Sequence, residues 1–370
     1  MNNINKNFGF GCMRLPMCGK DVDYDETKKM VDAFISAGFN YFDTAHGYIQ
    51  GKSELAIKEC LTTRYQRDKY VLTDKLTSVF FKKEEDIRPL FKEQLKACGV
   101  DYFDFYLMHA QGLANYDHFK KCHAYETAFQ LKKEGKIKHV GISFHDKAEV
   151  LEQILNDYPE IEVVQIQFNY VDYKDEAVQS KKCYEVCRKY NKPVIVMEPV
   201  KGGNLVNLPE EAKKIIDDLH GGSAASYALR FAAGFPGIMM VLSGMSNLAQ
   251  MEDNISFMKE FKPLNEDEMK AINKVQEIFK SKNLIPCTAC RYCIDGCPKH
   301  ISIPNLFSTM NSKSLYHDWN ADYYYNVVHT KPGCKASDCI KCGKCESVCP
   351  QHLPIRKLLE MVAKEFEKNK

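Results

Sequence analysis

Two sets of residues in this chain are of types and spacings that carry chemistry. The first is sulfur. Cys287, Cys290, Cys293 and Cys297 stand at C-x2-C-x2-C-x3-C spacing before Pro298, and Cys339, Cys342, Cys345 and Cys349 repeat that spacing before Pro350. Thiolates this close together hold metal, and three of them two residues apart wrap one iron–sulfur cubane. Structural zinc is the alternative, but it typically uses Cys pairs separated by a longer loop. The second set is dispersed: Asp43, Tyr48, Lys75 and His109. A tyrosine can donate a proton to a carbonyl oxygen that is receiving a hydride, and a nearby lysine cation would stabilise the tyrosinate and lower its pKa. An aspartate would hold the lysine, and a histidine would orient and polarise the carbonyl. Singly, each has an ordinary reading as a surface aromatic, a turn residue or a cap.

These four gain weight from the elements that must position them. Short apolar runs at 8–15, 40–45, 70–76, 102–109, 139–143, 163–168, 193–197 and 237–242 read as strands. Helical patterns follow each of them, at 25–37, 53–61, 83–98, up to 133, 147–156, 175–190, 223–233 and 248–259, with Ser53 as a candidate N-cap. Runs that are apolar throughout suit strands buried on both faces. Eight strand–helix units in about 250 residues predict an α/β fold of the (β/α)8 TIM-barrel kind. An open doubly wound sheet would usually show fewer units and a glycine-rich turn after the first strand, and no G-x-G-x-x-G follows Gly9-Phe10-Gly11. Barrel chemistry sits at the C-terminal strand ends. Asp43, Lys75 and His109 end the second, third and fourth runs, and Tyr48 lies just beyond the second.

The stretches Asp43-Thr-Ala-His-Gly-Tyr48, Gly51-Lys-Ser-Glu54, Thr73-Asp-Lys-Leu76 and Leu107-Met-His109, with Val140-Gly-Ile-Ser143 and Gln165-Ile-Gln-Phe-Asn-Tyr170, resemble the aldo-keto reductases. The resemblance spans roughly residues 8–261. It implies that Asp43, Tyr48, Lys75 and His109 form a catalytic tetrad with Tyr48 as proton donor, and that NADPH or NADH supplies the hydride. It also implies a cofactor site at Ser143 and Gln165. Phe144 stands in the family's usual Asn place, and Met197 and Glu198 stand in place of the usual stacking aromatic. Loops after the seventh and eighth strands commonly bind phosphate through backbone amides. Gly202, Gly203, Gly244 and Ser246 suit that role, and Lys201 could reach the pyrophosphate. The Lys and Arg that in many relatives pair with a 2′-phosphate are missing from the 243–250 loop.

The paired cysteine runs resemble those of bacterial ferredoxins, in which the fourth Cys of each run reaches the other cluster. That resemblance implies two 4Fe-4S clusters, one on Cys287, Cys290, Cys293 and Cys349, the other on Cys339, Cys342, Cys345 and Cys297. The 41 residues from 298 to 338 look helical, so the region resembles the α-helical dicluster ferredoxins. An aromatic run at 323–325 would cover the clusters, 355–366 reads as a closing amphipathic helix, and Cys334 is a spectator. The expected domains are a barrel over 1–262, a helical connector over 263–284 and a mainly α-helical dicluster domain over 285–370. Together they resemble the branch of aldo-keto reductases with a C-terminal dicluster domain.

The bulk composition agrees. Of the 370 residues 45% are hydrophobic and 27% charged, and the net charge of +2 calls for neither nucleic acid nor an anionic membrane. The N-terminus lacks an apolar leader and no run is long enough to span a bilayer, which predicts a cytoplasmic protein. Sixteen Cys in such a chain point to metal or redox chemistry rather than disulfides. The leading expectation is an iron–sulfur oxidoreductase acting on a small carbonyl or alcohol, with clusters that exchange electrons with a partner such as a ferredoxin or flavodoxin. A hydride carries two electrons and a cubane passes one, so coupling them needs an adaptor such as a flavin, for which no motif is recognisable. The alternative is a non-catalytic nucleotide-sensing or docking barrel with a redox-sensor domain. Loops 111–117 and 205–209 hold no constellation diagnostic of a substrate.

Overall fold

A computed structural model describes residues 3–175, 178–282, 284–316, 321–330 and 333–367. They divide into two compact units, Met1–Pro199 with Ala225–Leu264, and Val200–Ala224 with Asn265–Lys370.

In the first unit, eight parallel strands close a barrel: β1 (Phe8–Gly11), β2 (Tyr41–Asp43), β3 (Val71–Leu76), β4 (Phe103–Gln111), β5 (Ile137–Phe144), β6 (Val163–Gln167), β7 (Val194–Met197) and β8 (Ile238–Ser243). Each strand pairs with its neighbours in sequence, and β1 pairs with β8. Side chains alternate along a strand, so every second residue enters the barrel. Tyr41, Val71, Phe105, Leu107, Val163, Ile195, Met240 and Leu242 fill the interior as one buried cluster. Their alternates face the helices; Phe42, for example, meets Phe34 edge-on at 5.3 Å. Gly141 of β5 is needed for this packing, because a Cβ there would lie 2.5 Å from the Val163 side chain.

Several local readings change. Ser53 is inside the helix Lys52–Ile57, not its cap; Gly51 takes that place at φ 83°, which favours glycine. The Ser53 hydroxyl is buried, donating to the Cys12 carbonyl at 2.9 Å and bonded to Thr44 Oγ1 at 2.7 Å. The helix expected to run to residue 133 is two, Leu113–Lys121 and Ala124–Lys133, broken where His123 turns to φ 47°. Strand β4 continues two residues past His109, with a register shift between Met108 and Gln111.

In the second unit, the connector is the helix Glu266–Ser281. Asn265 and Glu268 cap its start reciprocally, each side chain accepting from the other's backbone N–H. A helix not expected from sequence, Glu210–Asp217, belongs to the same unit, and Glu211 meets Lys282 at 3.8 Å. The cluster region is helical, with Ile303–Tyr316 and Ile355–Phe366 as its main elements. Leu306, Phe307, Tyr325, Ile355, Leu359, Val362 and Phe366 form its core. Of the aromatic run, Tyr325 is a core residue stacked on Phe366 at 4.6 Å, Tyr324 is exposed, and the Tyr323 side chain lies outside the described residues.

Candidate active site and cluster sites

Alternation brings the dispersed tetrad together. Tyr41 and Asp43, then Val71, Thr73 and Lys75, then Phe105, Leu107 and His109, are successive alternate residues on adjacent strands. The apolar members fill the barrel and the polar ones cap it at the C-terminal end. Tyr48 arrives from a tight turn after β2, in which Ile49 and Gln50 hold φ near +50°.

Lys75 is wholly buried and its ammonium is fully engaged. It donates to Asp43 Oδ1 at 2.5 Å, to the Thr44 carbonyl at 2.7 Å and to Tyr48 Oη at 3.2 Å. An ammonium has three protons, so none is left over. Gln165 Nε2 donates to the other Asp43 oxygen at 3.2 Å. The His109 ring stands edge-on to Tyr48 with centroids 5.9 Å apart, and its Nδ1 is bonded to Thr77 Oγ1 at 2.6 Å. Burial, then the Asp43 charge, raises the Tyr48 pKa well above its usual value, and the nearby Arg14 opposes them. Burial, with Lys75 and His145 adding repulsion, pushes His109 well below its usual value. At neutral pH the phenol is therefore protonated and the imidazole neutral. Desolvation outweighs the lowering expected from a lysine neighbour.

Two supports for this site had no signal in the sequence. Thr77 orients His109, and spacing alone does not distinguish it from any loop threonine. The other is a buried acid pair behind Lys75. Asp74 Oδ1 accepts the Lys75 backbone N–H at 2.7 Å, and Gln94 donates to the Lys75 carbonyl at 3.0 Å. Burial, then the Glu54 charge, holds the Asp74 carboxyl well above its usual range. Glu54 in turn bonds His46 Nδ1 at 2.9 Å. A raised pKa is the physical way to keep the Asp74 carboxyl buried beside another acid.

The expected cofactor residues fall into both units. Ser143 and Gln165 are register partners on β5 and β6, both buried, and Ser143 Oγ accepts from the Ala110 N–H at 2.8 Å. Met197 ends β7. Gly244 and Ser246 lie in the loop before the helix Leu248–Met258, where Ser246 Oγ donates to the Arg14 carbonyl at 2.9 Å. The first amide of that helix, Leu248 N–H, donates to the Glu26 carboxylate at 2.9 Å. Lys201, Gly202 and Gly203 belong instead to the second unit, as a short turn. Gly202 holds φ 65° and packs so closely that a Cβ would lie 2.4 Å from the Thr288 carbonyl oxygen.

The eight motif cysteines gather into two recesses. One is lined by Cys287, Cys290, Cys293 and Cys349, the other by Cys297, Cys339, Cys342 and Cys345; Ile303 borders both. Cys334 lines neither. The fourth cysteine of each run thus crosses to the other's recess. The loops are conformational copies: Ala289 and Lys341, Arg291 and Gly343, and His300 and His352 all hold positive φ at equivalent places. For non-glycine residues this costs about 1–2 kcal/mol each, and alternating hands of this kind turn successive amides into a cradle for an anion. Burial and neighbouring cysteines raise the Cys293 thiol, and burial lifts Cys345 to about 11. Four thiols in an apolar recess need bound cations to ionise. The donor set, the cradle and the recesses fit 4Fe-4S clusters.

Comparison with known proteins gives two family matches: the aldo/keto reductase family over residues 7–277 and a 4Fe-4S dicluster domain over 286–354. Among curated proteins the chain is 24% identical over 310 residues to the uncharacterized oxidoreductase YqkF of Bacillus subtilis, covering 74% of this chain and 94% of that one. It is 26% identical over 195 residues to the NADH-specific methylglyoxal reductase of Escherichia coli, covering 47% of this chain and 57% of that one. Among solved structures, an aldo-keto reductase from Klebsiella pneumoniae in complex with NADPH matches with a TM-score of 0.60 at 18% identity, over 73% of this chain and 90% of that one. The holo form of an aldo-keto reductase from Bacillus halodurans matches with a TM-score of 0.60 at 23% identity, over 73% and 91%. These structures share the barrel fold. Among the described residues no helix is long and apolar enough to cross a membrane.

Proposed function

The chain is an oxidoreductase that belongs to the aldo/keto reductase family and carries a C-terminal 4Fe-4S dicluster domain, and from that premise we propose that it transfers a hydride between a nicotinamide dinucleotide and a small carbonyl or alcohol, with Tyr48 as acid or base. The observation that carries this reading is the saturated ammonium of Lys75. With its three protons given to Asp43, Thr44 and Tyr48, the Tyr48 hydroxyl must direct its own proton elsewhere, toward a substrate oxygen. In reduction the hydride adds to the carbonyl carbon, the oxygen takes the Tyr48 proton, and the tyrosinate left behind faces the Lys75 cation. His109, held by Thr77, is the second donor to the same oxygen when the threonine donates to Nδ1 and the proton rests on Nε2.

The nicotinamide dinucleotide supplies the hydride; Ser143 and Gln165 would hold its carboxamide, and Gly244 and Ser246 its phosphate side. Glu26 indicates which dinucleotide. A carboxylate on the first amide of Leu248–Met258 repels a 2′-phosphate and can accept from a ribose hydroxyl, which favours NADH. A relative that shares part of this chain is named for NADH specificity.

The second unit would hold one cluster on Cys287, Cys290, Cys293 and Cys349 and another on Cys297, Cys339, Cys342 and Cys345. They exchange single electrons with a ferredoxin- or flavodoxin-like partner. The test is anaerobic turnover of a panel of small aldehydes and ketones with deuterated NADH. Deuterium on the product carbon, lost in Tyr48→Phe, supports the reading; equal deuterium in both proteins overturns it.

A further inference from the structure

The two cysteine recesses are unequal in their surroundings. The loop of the first is packed against a neighbouring segment: Gly202 abuts the Thr288 carbonyl, and Asn204 Nδ2 donates to the Cys287 carbonyl at 3.1 Å. The second has an exposed ligand position at Cys342, and beside it Ile340 is 56% exposed. Around Ile340 several lysines reach the surface. The 339–345 segment carries Lys341 and Lys344 and no carboxylate, and Lys299 borders the same recess. All three lysines are exposed. The nearby acids have partners: Glu360 pairs with Lys341 at 2.7 Å, Glu346 with Arg356 at 2.7 Å, and Asp338 accepts the Lys335 N–H at 2.7 Å.

We infer that this face docks a small, strongly acidic ferredoxin, which exchanges one electron with the cluster on Cys297, Cys339, Cys342 and Cys345. The inference rests on reading the eight cysteines as cluster ligands. Charge complementarity selects the partner: carboxylates meet Lys299 and Lys344, and an apolar spot covers Ile340. A small wet contact with charged edges is the form of transient electron-transfer encounters. The step is one electron from the reduced ferredoxin centre to this cluster, with no bond or proton moved. The first recess, packed beneath Gly202 and Asn204, would then be filled from the second rather than from solvent.

The test uses the full-length protein, anaerobic and loaded with iron and sulfide. It is mixed with a purified acidic 4Fe-4S ferredoxin that has been chemically reduced and freed of excess reductant. Cluster reduction is followed by stopped-flow absorbance and EPR in wild type, K299E/K344E and I340S. Iron content per chain confirms that each variant holds its clusters. The expected result is a wild-type rate that falls steeply with salt, a loss of about 10- to 100-fold in K299E/K344E with the salt dependence flattened, and a slower I340S that keeps it. Equal rates in all three overturn the docking face. So does slowing that comes with a shifted cluster potential and unchanged salt dependence, because the lysines then only offset the cluster's own charge. Clusters that dithionite reduces but the ferredoxin does not overturn the docking face alone. A full-length protein that takes up no iron overturns the cluster reading with it.

Discussion

The two candidate sites are stabilised in opposite ways. At the barrel mouth the polar groups answer one another: Asp43 accepts from Lys75 and Gln165, Lys75 also donates to Thr44 and Tyr48, and Thr77 is bonded to His109. The closed sheet and its buried interior hold the residues of that arrangement. In the second unit the corresponding places hold eight thiols and backbone turned to positive φ at Ala289, Arg291, His300, Lys341 and His352. A bound anionic cluster would offset that strain. On the proposed reading, the barrel site is preorganised by the protein and the cluster sites would be organised by what they bind.

Removing metal should expose this difference most. Anaerobic chelation of iron should leave the barrel folded and cost the second unit much of its helix. Circular dichroism would fall only in part, and hydrogen exchange would become fast in Ile303–Tyr316 and Ile355–Phe366 while the barrel strands stay protected. Unchanged protection in both helices would break the comparison, because the small apolar core around Leu306 and Tyr325 would then suffice.

The converse change strikes chemistry without structure. Tyr48→Phe should lower carbonyl reduction by roughly 10²- to 10⁴-fold. Cluster absorbance and iron content should stay as in wild type. Loss of the clusters in this variant would mean that the two sites depend on each other for folding. Next in size is Glu26→Gln. With the carboxylate gone from the Leu248 amide, the preference for NADH over NADPH in kcat/KM should fall about tenfold, chiefly through KM for NADPH. An unchanged ratio would remove Glu26 from the specificity argument.

The sequence exposed most of what repeats and least of what joins. Eight apolar runs with intervening helical patterns are a period, and it put Asp43, Lys75 and His109 at the ends of three successive strands; their shared interior face comes from the folded register. The cysteine spacing was legible for the same reason, because it recurs. Segment Val200–Ala224 was not, since its chain position says barrel loop while its packing on Thr288 says second unit. The Glu54 and Asp74 carboxyls were hidden too: one lies in a helix and the other precedes Lys75, so only the folded register brings them together. Ser53 misled as a cap because a buried serine that bonds Cys12 and Thr44 has the same local signature as a capping one.

The smallest effect is a pH dependence that separates the preorganised site from the rest. Folding pushes His109 well below its usual pKa, through burial first and then Lys75. Between that folded value and about 6.5, the unfolded chain binds a proton that the folded chain refuses. This contribution to stability is complete above about pH 6.5 and is lost as the pH falls toward the folded value, by at most about 1.4 kcal/mol per pH unit. Asp43 acts with the opposite sign and lower on the scale: burial raises its folded pKa, so it binds its proton more tightly when folded. Comparing wild type with His109→Gln cancels the Asp43 contribution and isolates the histidine. Denaturant unfolding at pH 7.5, 6.5, 5.5 and 5.0 should show wild type losing stability relative to the variant only below pH 6.5. A constant difference across that range would mean that folding leaves the His109 pKa where it is in the unfolded chain, so that burial does not keep the imidazole neutral below pH 6.5.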